Sequence, residues 1–338
     1  MAETCRSRRL EAVSALGVGA KKVAFVFPGQ GCQRVGMGKN LADNYEEARR
    51  VFEEADKALG FPLSDLCFFG PEEDLTLTRN AQPGIVATSV AIFEVMKSIG
   101  VMPDIVSGHS VGEYSALVAS GSLSLPDAVR LVNARGRLME KAYPPGAGGM
   151  TAVLGLDKAR VALACEAARS VGWVEPANYN SPGQVVISGE MAALEKAEEL
   201  CRAEGARRVI PLKVSGPFHS RLMASARSAL ESELEKVRLG KPYIPQVMNV
   251  DAKISRSETG IKDSLARQIS EPILWEDCVR RMWECGARVF IQVGPGRALT
   301  GLIREIEPQA ETFAEDGNTP VDGVLRFLEE VIQYEDEG

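Results

Sequence analysis

One short stretch constrains the fold of this 338-residue chain more than any other. Asp104-Ile105-Val106-Ser107-Gly108 reads as a strand, and 114–120 reads as a helix. Between them lies Gly108-His109-Ser110-Val111-Gly112, a G-x-S-x-G sequence. A strand that turns sharply into a helix, with serine at the apex, is the setting of a nucleophile elbow. Glycine at 108 and 112 suits that setting, because strand and helix cross too closely for side chains. The arrangement belongs to an α/β fold with a parallel sheet.

Other segments agree. Val23-Ala24-Phe25-Val26-Phe27 is a continuous apolar run stopped by Pro28-Gly29, as expected of a buried parallel strand. Leu41, Tyr45, Ala48, Phe52, Ala55 and Leu59 recur at three- to four-residue spacing and predict a helix over 39–59. A second helix is expected over 83–99, opened by Pro83 and closed by Gly100. Near residue 150 the rhythm changes. Strand 150–156, helix 157–170, strands 174–179 and 184–188 around Asn180-Ser181-Pro182-Gly183, helix 191–204 and strand 207–214 follow in turn. That is the β-α-β-β-α-β order of a ferredoxin-like unit. The expected organisation is a small subdomain, 149–214, inserted into a large one, 21–148 and 215–310. In the large part, a helix over about 221–237, an extended segment 244–250, a helix starting near 260 and a strand 287–293 are expected. Residues 1–20 read as a disordered extension. Residues 311–338 read as an acidic C-terminal tail, in which 319–333 has a helical pattern.

Composition excludes several functions. Basic residues number 39 against 46 acidic, a net charge of −7. A nucleic-acid-binding chain usually has the opposite balance. No apolar run reaches the roughly 18–20 residues of a membrane helix. Seven cysteines form no C-x-x-C pair, and no Cys/His cluster has zinc spacing, so no metal is expected. Reduced thiols point to the cytoplasm. Arg6, Arg8 and Arg9 before the apolar stretch 12–20 leave organellar import open, although Glu3 and Glu11 argue against it.

Only two histidines are present, His109 beside Ser110 and His219 in Ser215-Gly216-Pro217-Phe218-His219-Ser220. A serine hydroxyl needs a base to become a nucleophile near neutral pH, and histidine has the right pKa. His219 is the candidate base for Ser110.

Seven motifs then occur in order: Phe27-Pro28-Gly29-Gln30-Gly31, Gly108-His109-Ser110-Val111-Gly112-Glu113, Arg135-Gly136, Asn178-Tyr179-Asn180-Ser181-Pro182-Gly183-Gln184, Pro217-Phe218-His219-Ser220, Asn249-Val250-Asp251 and Val293-Gly294-Pro295-Gly296. In these the chain resembles the malonyl-CoA:acyl carrier protein transacylases of dissociated fatty acid synthesis, relatives of polyketide synthase acyltransferase domains. The resemblance runs from about residue 23 to 303. It implies an α/β-hydrolase-like large subdomain with a ferredoxin-like one inserted, the order already read.

It also implies ping-pong chemistry without a cofactor. Malonyl-CoA would load Ser110, and the phosphopantetheine thiol of acyl carrier protein would unload it, with His219 moving the proton. The backbone amides of Val111 and Gln30 would hold the oxyanion. Arg135 would grip the malonyl carboxylate as a guanidinium fork. A glutamine carbonyl, matched to Gln268, would orient His219, with Asn249 as the alternative. His109, Asn178 and Asn180 are substrate-contact candidates, and Phe218 would crowd an α-methyl branch. The dock for an acidic carrier is expected near Arg207, Arg208, Lys213 and Arg221. A monomer is expected. The competing readings are a trans-acting acyltransferase serving a polyketide synthase and a serine thioesterase or other hydrolase. The hydrolase has no need of Arg135.

Overall fold

The computed structural model describes residues 21–318 and 322–336, so the expectation for residues 1–20 lies outside the described residues. Within them the strands are β1 (Lys22–Phe27), β2 (Ile105–Gly108), β3 (Gly148–Leu154), β4 (Val174–Ser181), β5 (Gln184–Glu190), β6 (Arg208–Pro211), β7 (Gln246–Val247), β8 (Ile254–Ser255), β9 (Ala287–Val293) and β10 (Glu311–Glu315). They form two sheets.

The larger sheet has the order β10-β9-β1-β2-β7-β8 and is parallel except for β8. The apolar run of β1 is explained by its place inside this sheet. Val23, Phe25 and Phe27 face one core with the Thr78–Ser98 and Leu125–Lys141 helices. Ala24 and Val26 face the other with the Trp275–Glu284 and Ala298–Ile306 helices. A strand covered on both faces needs apolar residues at every position.

The smaller sheet, β4-β5-β3-β6, is wholly antiparallel. The Lys158–Ala168 and Met191–Ala203 helices pack Val161, Cys165, Ala197 and Cys201 onto its Val153, Val185 and Ile187. This is the ferredoxin-like arrangement. Backbone bonds tie it to the larger unit, with Tyr179 N–H on Ile273 O at 2.9 Å and Ile273 N–H on Ala177 O at 2.8 Å. The chain is thus an α/β protein of two sheets.

Three local expectations need correction. The helix placed at Pro83 begins earlier and runs Thr78–Ser98, with the proline inside it. Proline cannot donate to the carbonyl four residues back. That carbonyl, Arg79 O, instead accepts from Asn133 Nδ2 at 2.7 Å. The single helix over 39–59 is two, Lys39–Asn44 and Glu46–Leu59, broken where Tyr45 is extended (φ −126°, ψ 126°). Asn44 Nδ2 donates to Asn40 O at 2.7 Å, a side-chain bond of the kind that competes with helix continuation.

The third correction concerns the tail. Residues 311–315 are β10, the edge strand of the main sheet, paired in parallel with β9. The Asp322–Asp336 helix follows, and Val324, Leu325 and Leu328 are buried. Phe313 stacks on Phe327 with ring centroids 5.1 Å apart. A short, acidic strand at a sheet edge carries too weak a period to separate it from a solvated tail.

Candidate active site

The site lies at the carboxyl ends of β1 and β2, where open α/β sheets place their ligands. β2 ends at Gly108, and the Gly112–Ala119 helix starts four residues later. A Cβ on Gly108 would stand 2.0 Å from Gly112 C, and one on Gly112 would stand 2.2 Å from Phe27 O. Both positions therefore exclude any side chain. Ser110 at the apex has φ 51°, the left-handed region that an L-residue enters only when its surroundings compel it. Asn249 supplies the constraint. Its Oδ1 accepts from Ser110 N–H at 2.8 Å and its Nδ2 donates to Gly108 O at 2.7 Å. One side chain thus clips both limbs of the turn.

His219 Nε2 lies 2.8 Å from Ser110 Oγ, and its Nδ1 lies 2.7 Å from Gln268 O. A main-chain carbonyl can only accept, so Nδ1 carries the proton and Nε2 faces the serine hydroxyl as an acceptor. Burial, with the Arg135 charge, pushes the imidazole pKa down to about 3, so it is neutral at physiological pH. Gln268, the residue matched to the orienting glutamine, is the one that faces Nδ1. The acceptor is its main-chain carbonyl, and its side chain has other work.

That work concerns Arg135, whose side chain is fully buried. Its Nη1 donates to Gln82 Oε1 at 2.9 Å, and its Nη2 to Gln268 Oε1 at 2.7 Å and Ser110 Oγ at 3.3 Å. Its Nε has no hydrogen-bond partner among the described residues. Burial lowers its pKa, while Tyr114 and Glu113 oppose the fall. A buried cation beside the nucleophile, with donor capacity unspent, is suited to receive an anion. Gly136 makes the placement possible, since a Cβ there would meet Arg79 Cα at 2.6 Å. The two helices can approach this closely only at glycine.

A cavity of about 480 Å3 opens onto Ser110 and His219 and is lined also by Gln30, Met139, Phe218 and Leu299. The main-chain amides of Gln30 and Val111 donate to no protein acceptor among the described residues. Phe218 is buried at the cavity wall. His109, Asn178 and Asn180 line the cavity too. His109 Nε2 lies 2.9 Å from Asn180 Oδ1, its acceptor, and 3.5 Å from Asn178 Nδ2, itself a donor. The acceptor Asn180 Oδ1 requires a proton on Nε2. The His109 ring meets Trp275 edge-on with centroids 5.5 Å apart. Desolvation lowers its pKa, which keeps it neutral.

The sequence alone assigns no role to Gln82, Glu113 or Trp275. Gln82 stands just before Pro83 in a helix that carries several other polar residues, and nothing in the string sets it apart. Glu113 follows the elbow serine by three residues, and its burial is invisible in the string.

A family model described as an acyl transferase domain matches residues 24–315. With this fold, and with a serine hydrogen-bonded to a histidine at the head of a helix, the chain is an acyltransferase. Malonyl CoA-acyl carrier protein transacylase of Bacillus subtilis (strain 168) is 42% identical over 310 residues, 91% of this chain and 98% of the relative. The transacylase of the same name from Salmonella typhimurium (strain LT2) is 46% identical over 284 residues, 84% of this chain and 92% of the relative. A solved malonyl-transacylase in complex with a type II polyketide synthase acyl carrier protein is 42% identical with TM-score 0.88, covering 90% of this chain and 99% of that one. The chain belongs to the malonyl-CoA-acyl carrier protein transacylase family.

Proposed function

We propose that the protein moves a malonyl group from malonyl-CoA to the phosphopantetheine thiol of an acyl carrier protein, through an ester on Ser110, in fatty acid synthesis. The observation that carries this reading is the triple contact at Ser110: His219 Nε2 at 2.8 Å, Arg135 Nη2 at 3.3 Å, and a cavity above them. The first contact makes a nucleophile. The second supplies a buried cation within one acyl group's reach of it.

The transfer has two halves, each moving one proton through His219. His219 Nε2 takes the Ser110 proton as Oγ bonds to the thioester carbon. The carbonyl oxygen becomes an oxyanion, held by the amides of Val111 and Gln30. The carbon–sulfur bond breaks, and His219 returns the proton to the sulfur of CoA. The carrier thiol then gives its proton to His219 and attacks the Ser110 ester. Oγ leaves and recovers the proton. The malonyl carboxylate sits on Arg135 throughout. Its negative charge offsets the guanidinium charge that depresses His219, so the base strengthens when substrate is present. No metal or organic cofactor enters, because the thioester is already activated.

Phe218 narrows the wall of the cavity and favours malonyl over its α-methyl homologue. One methylene is worth about 1–3 kcal/mol in such a pocket, so the preference is graded. Arg207, Arg208, Lys213 and Arg221 are all exposed and offer a basic surface to an acidic carrier. In this reading the enzyme acts as a monomer. No helix of the described residues is long and apolar enough to cross a membrane. The unpaired cysteines among those residues support a reducing, cytoplasmic setting. The polyketide carrier in the related complex supports a second reading, the same chemistry serving a polyketide synthase.

Intact mass after mixing the protein with malonyl-CoA tests the proposal. A malonyl-sized adduct absent from Ser110→Ala and discharged by holo acyl carrier protein is expected. CoA release with no adduct would mean a hydrolase instead.

A further inference from the structure

Glu113 lies in the first turn of the Gly112–Ala119 helix and its side chain is fully buried. Both of its oxygens face donors. Oε1 accepts from the Asn249 main-chain N–H, and Oε2 accepts from Gln268 Nε2. Only an ionised carboxylate offers two acceptors, since a protonated acid or an amide would turn a donor toward a donor. Burial raises the Glu113 pKa, while those two donors and Arg135 pull it back toward the ionised form that their geometry requires. The buried anion and the buried cation do not touch. The Gln268 amide stands between them.

That amide has only one satisfied orientation. Its Nε2 donates to Glu113 and, at 2.9 Å, to Ser110 O, while its Oε1 accepts from Arg135 Nη2 at 2.7 Å. Turned over, its oxygen would face the Glu113 carboxylate and the Ser110 carbonyl, and its NH2 would face the guanidinium. All three contacts would repel. Three contacts hold the amide in this orientation, and the carboxylate is the one charged acceptor among them. We propose that Glu113 is a positioning residue: through the Gln268 amide it fixes Arg135 against Ser110 and so sets the preference for an acyl group that bears a carboxylate. The inference rests on Arg135 as the grip for that carboxylate.

The test compares kcat/KM for malonyl-CoA and acetyl-CoA in intact enzyme. Glu113→Gln turns one donor toward either Asn249 N–H or Gln268 Nε2. A loosened guanidinium loses up to one charge-assisted bond to the malonyl carboxylate, so the malonyl-to-acetyl ratio should fall by roughly 10- to 150-fold. The Arg135→Ala background separates positioning from mere stability. There the ratio should not fall further when Glu113→Gln is added. A purely structural role would lower both donors alike and leave the ratio intact. Gln268→Met, which keeps the main-chain carbonyl on His219 and cuts the link, should lower the ratio by a similar factor and covers the case of a misfolded Glu113→Gln. An unchanged ratio in a folded variant overturns the inference alone, provided Arg135→Ala abolishes the preference. A wild-type enzyme with no malonyl preference would overturn the substrate reading as well.

Discussion

Arg135→Ala gives the sharpest test of how this site chooses its substrate. The guanidinium is fully buried and already bonds Gln82, Gln268 and Ser110. A malonyl carboxylate received by its fork would gain two charge-assisted bonds of about 1.5–3 kcal/mol each. Their loss amounts to roughly 3–6 kcal/mol, which at 1.4 kcal/mol per tenfold is about 10² to 10⁴ in kcat/KM for malonyl-CoA. The acetyl group has no carboxylate and loses neither bond. The variant also strands the acceptors Gln82 Oε1 and Gln268 Oε1, but that cost falls on both donors equally. Removing the charge should also raise the basicity of His219, which Arg135 depresses. Acetyl transfer should therefore hold or rise while malonyl transfer collapses. The assay is adduct formation on Ser110 by mass, with the two donors in competition. Equal falls for malonyl and acetyl would refute the reasoning and leave Arg135 a structural cation.

Four other outcomes are expected. His219 must be neutral to act as base, and its pKa is lowered from 6.5 to about 3, so the acid limb of kcat/KM should fall well below pH 6.5; a limb at 6.5 would contradict the buried geometry. The same shift has a sign for stability: between pH 6.5 and about 3 the unfolded chain binds the proton that the folded chain refuses, so this group removes stability as pH falls through that window, and denaturant midpoints for wild type and His219→Ala should diverge there. Gly112→Ala places a Cβ 2.2 Å from Phe27 O and should destabilise by about 3 kcal/mol or more, read by thermal unfolding; an unchanged midpoint would deny that the crossing is tight. Reversing Arg207 and Arg221 to Glu should raise the KM for carrier protein and leave that for malonyl-CoA unmoved, whereas a common effect on both would place the dock elsewhere.

Much of this protein is legible in its sequence because the deciding forces are local. The β1 run is apolar at every position because both faces are covered, and any such strand advertises itself. Glycine at 108 and 112 follows from a crossing that excludes a Cβ, and the β-α-β-β-α-β order needs only periodicity and turns. Ser110 and His219 were readable because a serine nucleophile needs a base and only two histidines exist. The pairing of polar groups in the interior obeys no such rule. Arg135 meets Gln82 from 53 positions away and Gln268 from 133, and both contacts exist because three helices converge behind the elbow. That Gln268 serves His219 through its main chain and Arg135 through its side chain depends on where the Glu258–Gln268 helix ends. Likewise, Pro83 lies within a helix because Asn133 satisfies the carbonyl that the proline leaves free. Residues 311–315 join the sheet because β9 leaves an edge for them to pair with. Periodicity along a chain records which faces avoid water; which buried donor meets which acceptor is decided only when the packed elements bring them within reach.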